Sequence, residues 1–254
     1  MYSLITSQMT WSYSRLSAFE SCPYRFFMKY LLNCDEEPQF FSQFGSFVHE
    51  IHQLVFESLL SKTSAASYYV RNFDERVTAK APSKQIFTSY FKGGLDYFKH
   101  MPEFDGSILG IEKEFHFDVD GYPFVGFADL LTRTNQGLLL YDHKARALKP
   151  RSNKKKPTVS DQELDRYFRQ LYLYSIPIKE EYGEYPKELI FNCYRGGYFI
   201  KEPFSIEKLE NAKSWASGTI RDIIATQQWQ PRLEFFKCKY LCGLENDCSY
   251  FSYL

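Results

Sequence analysis

The sequence predicts an α/β domain built on a mixed central sheet flanked by helices. Three observations carry that reading. Between Ile108 and Ala147, apolar and polar residues alternate in three runs separated by two short turn signals, the pattern of a three-stranded antiparallel meander. A helical segment then leads to a fourth strand, and such a crossover should make one strand pair parallel. The chain before residue 100 is helical in period and dense in aromatic side chains.

The elements follow in chain order. Ser12 or Ser14 caps a first helix through Leu16 and Phe19 toward Tyr24, interrupted at Cys22-Pro23-Tyr24. Gly45 to Leu60 places Phe47, Val48, Ile51, Leu54, Val55 and Leu59 on one helical face. Ser61 to His100 is helical and carries no chemical motif, so residues 50–107 are expected to form a helical lobe inserted before the sheet. In the first strand, Lys113, Phe115, Phe117 and Val119 alternate with Glu112, Glu114, His116 and Asp118. Asp120-Gly121 turns it into a second strand, Phe124 to Arg133, and Thr134-Asn135-Gln136-Gly137 turns that into a third, Leu138 to Ala147. Asp161 or Ser160 caps a helix to Ser175. Glu188 to Tyr194 and Tyr198 to Glu202 form strands joined at Gly196-Gly197, and a last long helix runs from Ser205 to Gln228.

A chain of 254 residues, 44% hydrophobic with 24 Phe and 20 Tyr, can bury a sizeable core and is read as one domain, 1–254. Its 31 basic and 31 acidic residues cancel, so any contact with nucleic acid must use a local basic surface rather than overall charge. No signal peptide is visible at the N-terminus and no stretch is long and apolar enough to span a membrane. A cytoplasmic location is therefore expected, and in that compartment clustered cysteines are better read as metal or cluster ligands than as disulfides.

The strongest chemical signal lies on the second hairpin. Asp142 and Lys144 are two residues apart and share one strand face. A two-residue loop at Asn135-Gln136 pairs residues whose numbers sum to 271, placing Asp129 directly opposite Asp142. A bulge at Gly137 would shift that register by one and separate the two acids. Facing carboxylates repel unless a cation neutralises them, and oxygen ligands favour Mg²⁺ or Mn²⁺. A bare D-x-K pattern is common on solvated hairpins, so the pair alone does not decide the function.

Gly126-x-x-Asp129, Asp142-x-Lys144 and Gln170-x-x-x-Tyr174, with Cys22-Pro23-Tyr24 and Gly45-x-x-x-His49 upstream, resemble in order and spacing the PD-(D/E)XK nucleases of the RecB and AddB type. CRISPR-associated RecB-like exonucleases with an iron-sulfur cluster belong to that group. The resemblance implies a restriction-endonuclease-like core and a metal-dependent deoxyribonuclease acting on single-stranded DNA or DNA ends. It implies metal ligation by His49, Asp129, Asp142 and the backbone carbonyl of His143, and it sets Lys144, Gln170 and Tyr174 beside the reacting phosphate. Family members commonly carry Tyr and Thr where this chain has His143 and Ala145. His52, one turn after His49, is a rival ligand, and a histidine on a buried helix face is more often an ordinary core residue. Glu112 and Glu114 are read as exposed strand carboxylates, with a place as partner to the metal-ligating residues as the alternative for either.

Cys238-x₃-Cys242-x₅-Cys248 with the remote Cys22 forms a one-plus-three set. Fourfold cysteine sites hold zinc or an iron-sulfur cluster. The layout resembles the [4Fe-4S] site of the same nucleases, although their first gap is usually two residues. Such a site would join segments 1–30 and 230–254. Cys34 is the alternative to Cys22, and Cys193 is expected in the core. From His143 to Ser160 no acid occurs, whereas Lys144, Arg146, Lys149, Arg151, Lys154, Lys155 and Lys156 are basic. This run is either a DNA-backbone contact or a solvated loop. The chain lacks a G-x-x-x-x-G-K-[ST] motif, so strand separation would need a helicase or a CRISPR-adaptation or recombination partner. A non-catalytic nucleic-acid adaptor on the same fold and an iron-sulfur redox protein are the competing readings.

Overall fold

In a computed structural model, which describes residues 2–146 and 148–254, the chain forms α1 (Tyr2–Ser7), α2 (Tyr13–Ser21), α3 (Pro23–Tyr30), α4 (Phe40–Phe56), α5 (Ala65–Arg76) and α6 (Lys84–Lys99). These precede β1 (Ser107–Val119), β2 (Tyr122–Thr134) and β3 (Gly137–His143). Next come α7 (Val159–Tyr182), β4 (Glu188–Cys193), β5 (Tyr198–Pro203), α8 (Ile206–Ala225) and α9 (Phe235–Tyr240). The third strand stops at His143, short of the expected end, and Ala147 lies outside the described residues.

The five strands lie in sequence order, antiparallel except for β3 and β4, which are parallel across the α7 crossover. The β2–β3 ladder pairs Thr134 with Gly137 and Leu130 with Tyr141, the register of the two-residue loop. Gly137 takes φ +129° without shifting it, a conformation open to glycine at low cost.

Capping explains the helix boundaries. Ser12 caps α2 by accepting from Arg15 N, and Cys22 in extended conformation separates it from α3, which starts on Pro23 as its first residue. Helix α7 begins two residues before the expected Asp161. Thr158 is its cap and Asp161 closes a capping box from the third helical position, also accepting from Ser152 N and Oγ at 2.7 and 2.6 Å. The helix continues past Ser175 through Pro177 and stops at Gly183, left-handed at φ +77°.

Both sheet faces are covered. Helices α7 and α8 pack Phe168, Leu171, Ile220 and Ile223 onto Leu140, Leu189 and Phe191. On the other face Leu130, Tyr141 and Ile190 meet Phe56 and Phe104. Helices α4 to α6 enclose a second, largely aromatic core around Phe44, Phe47, Tyr69, Phe73 and Phe98. The chain between α1 and α2 is tied to the sheet where Trp11 N donates to Pro123 O at 2.7 Å and Val125 N to Trp11 O at 2.8 Å.

Gly126 lets α7 approach β2. A Cβ there would sit 2.3 Å from Tyr174 Cε1. Gly126→Ala is expected to destabilise the fold by about 1–3 kcal/mol through overpacking. The loss should be non-additive with Tyr174→Leu in a urea-denaturation double-mutant cycle.

Candidate active site

The site forms where the β2–β3 ladder gives out. Its last pair is Leu130 with Tyr141. One step further, the Asp129 carboxylate takes over, with Oδ2 accepting from His143 N at 2.6 Å. Asp129 is thereby anchored to the neighbouring strand, and its side chain is buried. The partner strand is distorted at the same level. The β1–β2 ladder pairs Ile111 with Leu130 and Lys113 with Ala128, and Glu112 between them adopts φ +45°. That left-handed conformation is uncommon for a residue with a Cβ.

The parity of both strands changes there. Phe115 and Ala128 face the α7 side, whereas Ile111 and Leu130 belong to the opposite core. Glu112 and Asp129 sit at the crossover. The preferred reading of Glu112 as an exposed strand acid is corrected in favour of its alternative, a partner of the site. Its Oε1 lies 3.2 Å from His49 Nδ1, and Asp129 Oδ2 lies 3.7 Å from the same nitrogen. His49, Glu112 and Asp129 each offer a ligand atom within 4.8 Å of the others, the one such group among the described residues. A signal was available. The Asp120-Gly121 hairpin pairs Val119 with Tyr122, and extending that count sets Glu112 opposite Asp129.

Asp142 and Lys144 meet on the α7 side of the sheet. Lys144 Nζ donates to Asp142 Oδ1 at 3.0 Å and lies 2.7 Å from Oδ2, the latter out of line for a hydrogen bond. Nζ also donates to Gln170 Oε1 at 3.1 Å, and Gln170 Nε2 donates to the Tyr174 hydroxyl at 3.2 Å. Gln170 and Tyr174, one helical turn apart, therefore hold the ammonium from α7. Asp142 is outside the tight group of three and is engaged by Lys144 instead.

His143 works chiefly through its backbone. Its carbonyl accepts from His49 Nε2 at 3.0 Å, so it holds the imidazole that presents Nδ1 to the acids. Its ring is buried, stacked 4.0 Å from the His52 ring, with Asn192 Nδ2 3.0 Å from its Nδ1. His52 bonds to Val48 O and the Tyr97 hydroxyl, both at 2.9 Å. That places His52 as a support beneath the site rather than a ligand. Asn192 and Tyr97, which no sequence pattern marked, complete this layer.

Electrostatics follow from burial and like charge. Burial, then repulsion by Asp142, raises the Asp129 carboxyl well above its usual range, with His49 opposing. Burial disfavours the His49 cation, yet Asp129, Glu112 and Asp142 outweigh it and bring its pKa up to about 9. For Lys144, burial is likewise outweighed by Asp142 and Asp129, so the ammonium stays charged. Burial, then His49, lowers His52 to about 3, keeping it neutral.

The donor set fits a divalent cation. It combines carboxylates with one imidazole, suited to Mg²⁺ or Mn²⁺, and the buried Asp142 Oδ2 has no hydrogen-bond partner. A cation would relieve the mutual repulsion of the carboxylates and compete with the His49 proton.

Two predicted groups lie outside this centre. Cys22, Cys238, Cys242 and Cys248 line one cavity of about 150 Å³ between α2, α3 and α9, and Cys34 is absent from its lining. No three of their sulfurs lie within 4.8 Å of one another among the described residues. Cys193 is buried in the core as expected. In the basic loop, Lys149, Lys154, Lys155 and Lys156 are exposed. Arg146 pairs with Glu163 at 2.7 Å. Arg151 bridges Asp165 at 2.6 Å and Glu202 at 2.7 Å, so it clamps the loop to α7 and β5 instead of facing solvent freely.

Comparison with known proteins agrees with this geometry. The family model of the PD-(D/E)XK nuclease superfamily matches residues 10–249. No curated protein matches the chain. Among solved structures, the fold is similar to that of a candidate exonuclease from Eubacterium rectale. The TM-score is 0.50 and the identity 14%, over 90% of this chain and 86% of that one. SSO0001 aligns over 89% of this chain and 94% of its own at 18% identity, with a TM-score of 0.29, too low to carry an argument.

Metal affinity is expected to rise with pH. His49 is raised from its ordinary 6.5 to about 9, so its protonated form favours the metal-free fold. That stability is full below about pH 6.5 and is lost as pH rises toward 9. A cation must displace this proton, so the increase in melting temperature caused by Mn²⁺ should grow from pH 6.5 to 9, with proton release on binding seen by calorimetry in two buffers. Glu112→Gln should weaken Mn²⁺ binding about tenfold or more.

Proposed function

This chain belongs to the PD-(D/E)XK nuclease superfamily, and from that premise we propose that it is a Mg²⁺- or Mn²⁺-dependent deoxyribonuclease. Its substrate is single-stranded DNA or DNA ends, cleaved as an exonuclease. The observation that carries the reading is the Lys144 ammonium, held between Asp142 and Gln170 next to the His49, Glu112 and Asp129 group. His49, Asp129 and Glu112, joined by Asp142 through its Oδ2, which accepts no hydrogen bond, would hold the cation. When bound, it supplies Lewis-acid neutralisation of the charge that builds on the phosphate.

The chain's own residues prepare the rest. Lys144 is held by hydrogen bonds to Asp142 and Gln170 and stays protonated, so it offers a positive charge and its remaining N–H to a phosphate oxygen or the attacking water. Gln170 and Tyr174 limit its rotamers, and His143 fixes the separation of Asp129 and His49 through its backbone N–H and C=O. Lys149 and Lys154 to Lys156 lie on the loop that follows β3 and would meet the DNA backbone, with Arg146 once it leaves Glu163.

The cysteine cavity is read as the seat of a structural [4Fe-4S] cluster. What supports this reading is that Cys22, Cys238, Cys242 and Cys248 line one cavity and follow the one-plus-three layout of the resemblance. A single domain, 1–254, with an inserted helical lobe and its ends joined at this cluster accounts for the layout. No helix among the described residues is long and apolar enough to cross a membrane. We place the protein in the cytoplasm, with a helicase, CRISPR-adaptation or recombination partner supplying separated strands.

Asp142→Ala and Lys144→Ala should each lower cleavage of end-labelled DNA by at least about 100-fold while leaving the far-ultraviolet dichroism unchanged. Full activity in Asp142→Ala would sink the assignment. Anaerobically purified protein should contain iron and acid-labile sulfide. Cys242→Ser should lose both and melt earlier, and zinc in place of iron would remove the cluster from the account.

A further inference from the structure

A groove opens beside the proposed centre, between α2, α7 and the chain that leads into α9. Tyr13, Arg146, Arg166, Tyr167, Arg232 and Lys237 are among its lining residues. Its inner end is continuous with the catalytic groups. Lys144 Nζ lies 5.8 Å from the centre of the Tyr167 ring, and Arg146 Nη1 is 3.3 Å from the Tyr167 hydroxyl. Tyr13 lines the same groove. Its hydroxyl donates to Arg166 O at 3.0 Å and its ring packs 5.8 Å from Trp215, so the ring is held from two sides.

The charges around these rings are uneven in their engagement. The groove acids are already occupied. Glu20 accepts from Trp215 Nε1 at 2.7 Å, Glu163 pairs with Arg146 and Glu234 pairs with Lys237 at 2.6 Å. The Arg166 guanidinium is exposed, and no hydrogen bond or ion pair engages it among the described residues. The far bank rests on the cysteine cavity, because Arg232 N donates to Cys22 Sγ at 3.4 Å. Rigid aromatic rings with an uncommitted arginine, ending at a phosphate-cleaving lysine, match the requirements of a strand whose bases are unpaired. A duplex keeps its base faces stacked and cannot use the rings.

We propose that this groove carries single-stranded DNA to the active centre, with Arg166 contacting a backbone phosphate and Tyr13 and Tyr167 offering faces on which bases stack. The proposal rests on the nuclease reading for its destination, but binding can be measured without cleavage. Metal-free full-length protein is titrated into a fluorescent 12-nucleotide strand, followed by anisotropy over a range of salt. Arg166→Ala should weaken binding several-fold and reduce the salt slope by about 0.7, the share of one phosphate contact. Tyr13→Leu should weaken it about tenfold with less change in slope. Arg166 is exposed, so its variant keeps the fold and decides the matter should Tyr13→Leu misfold. Wild-type affinity and slope in Arg166→Ala, or a duplex bound as tightly as the strand, would overturn the groove. Strand binding that depends on Arg166, without cleavage in any metal, would instead sink the nuclease reading and leave the groove standing.

Discussion

Two carboxylates buried at the open end of a strand ladder set the terms for everything around them. Asp129 and Asp142 repel across β2 and β3, and burial removes the water that would screen them. The protein meets this with one backbone N–H on Asp129 and one ammonium on Asp142. Neither acid is fully satisfied, since the Asp129 pKa is elevated and Asp142 Oδ2, although 2.7 Å from the Lys144 ammonium, accepts no hydrogen bond. An apolar pair there would be easier to bury, and the deficit is one that a bound cation would relieve.

The two helical layers divide the task of holding this charge. Helix α7 carries Gln170 and Tyr174 and fixes the lysine from one side of the sheet. Helix α4 carries His49 from the other. His49 is on a helix of the aromatic lobe, so that lobe is more than a covering for the sheet. Beneath them the neutral layer of His52, His143, Asn192 and Tyr97 has little room to move, since its rings stack and its polar atoms bond to one another. One polar atom there, His143 Nε2, is buried without a partner.

The remaining charges show why net neutrality does not settle nucleic-acid binding. Arg151 is tied to two carboxylates and Arg146 to one, whereas Lys149, Lys154 to Lys156 and Arg166 remain exposed. Cations left uncommitted near the site are therefore fewer than a count of basic residues suggests, and they are local.

Much of the fold was legible from sequence because its signals are short-range. The Asn135-Gln136 loop length dictated the β2–β3 register, alternation marked the strands, and serine and proline marked the starts of α2 and α3. The helix–strand order after β3 required the parallel pair. Asp129, Asp142 and Lys144 are drawn together by the spacing of one hairpin, whereas Gln170 and Tyr174 enter only through the resemblance to the RecB-type nucleases. Glu112 was misjudged because alternation assumes regular backbone, and a residue at φ +45° reverses the face on which its neighbours lie. The convergence of His49 with that acid, and the layer of Asn192, Tyr97 and His52, were decided only by tertiary structure. Their contacts join helices and strands 45 to 140 residues apart, and no local periodicity encodes which of many buried polar groups will meet across such distances.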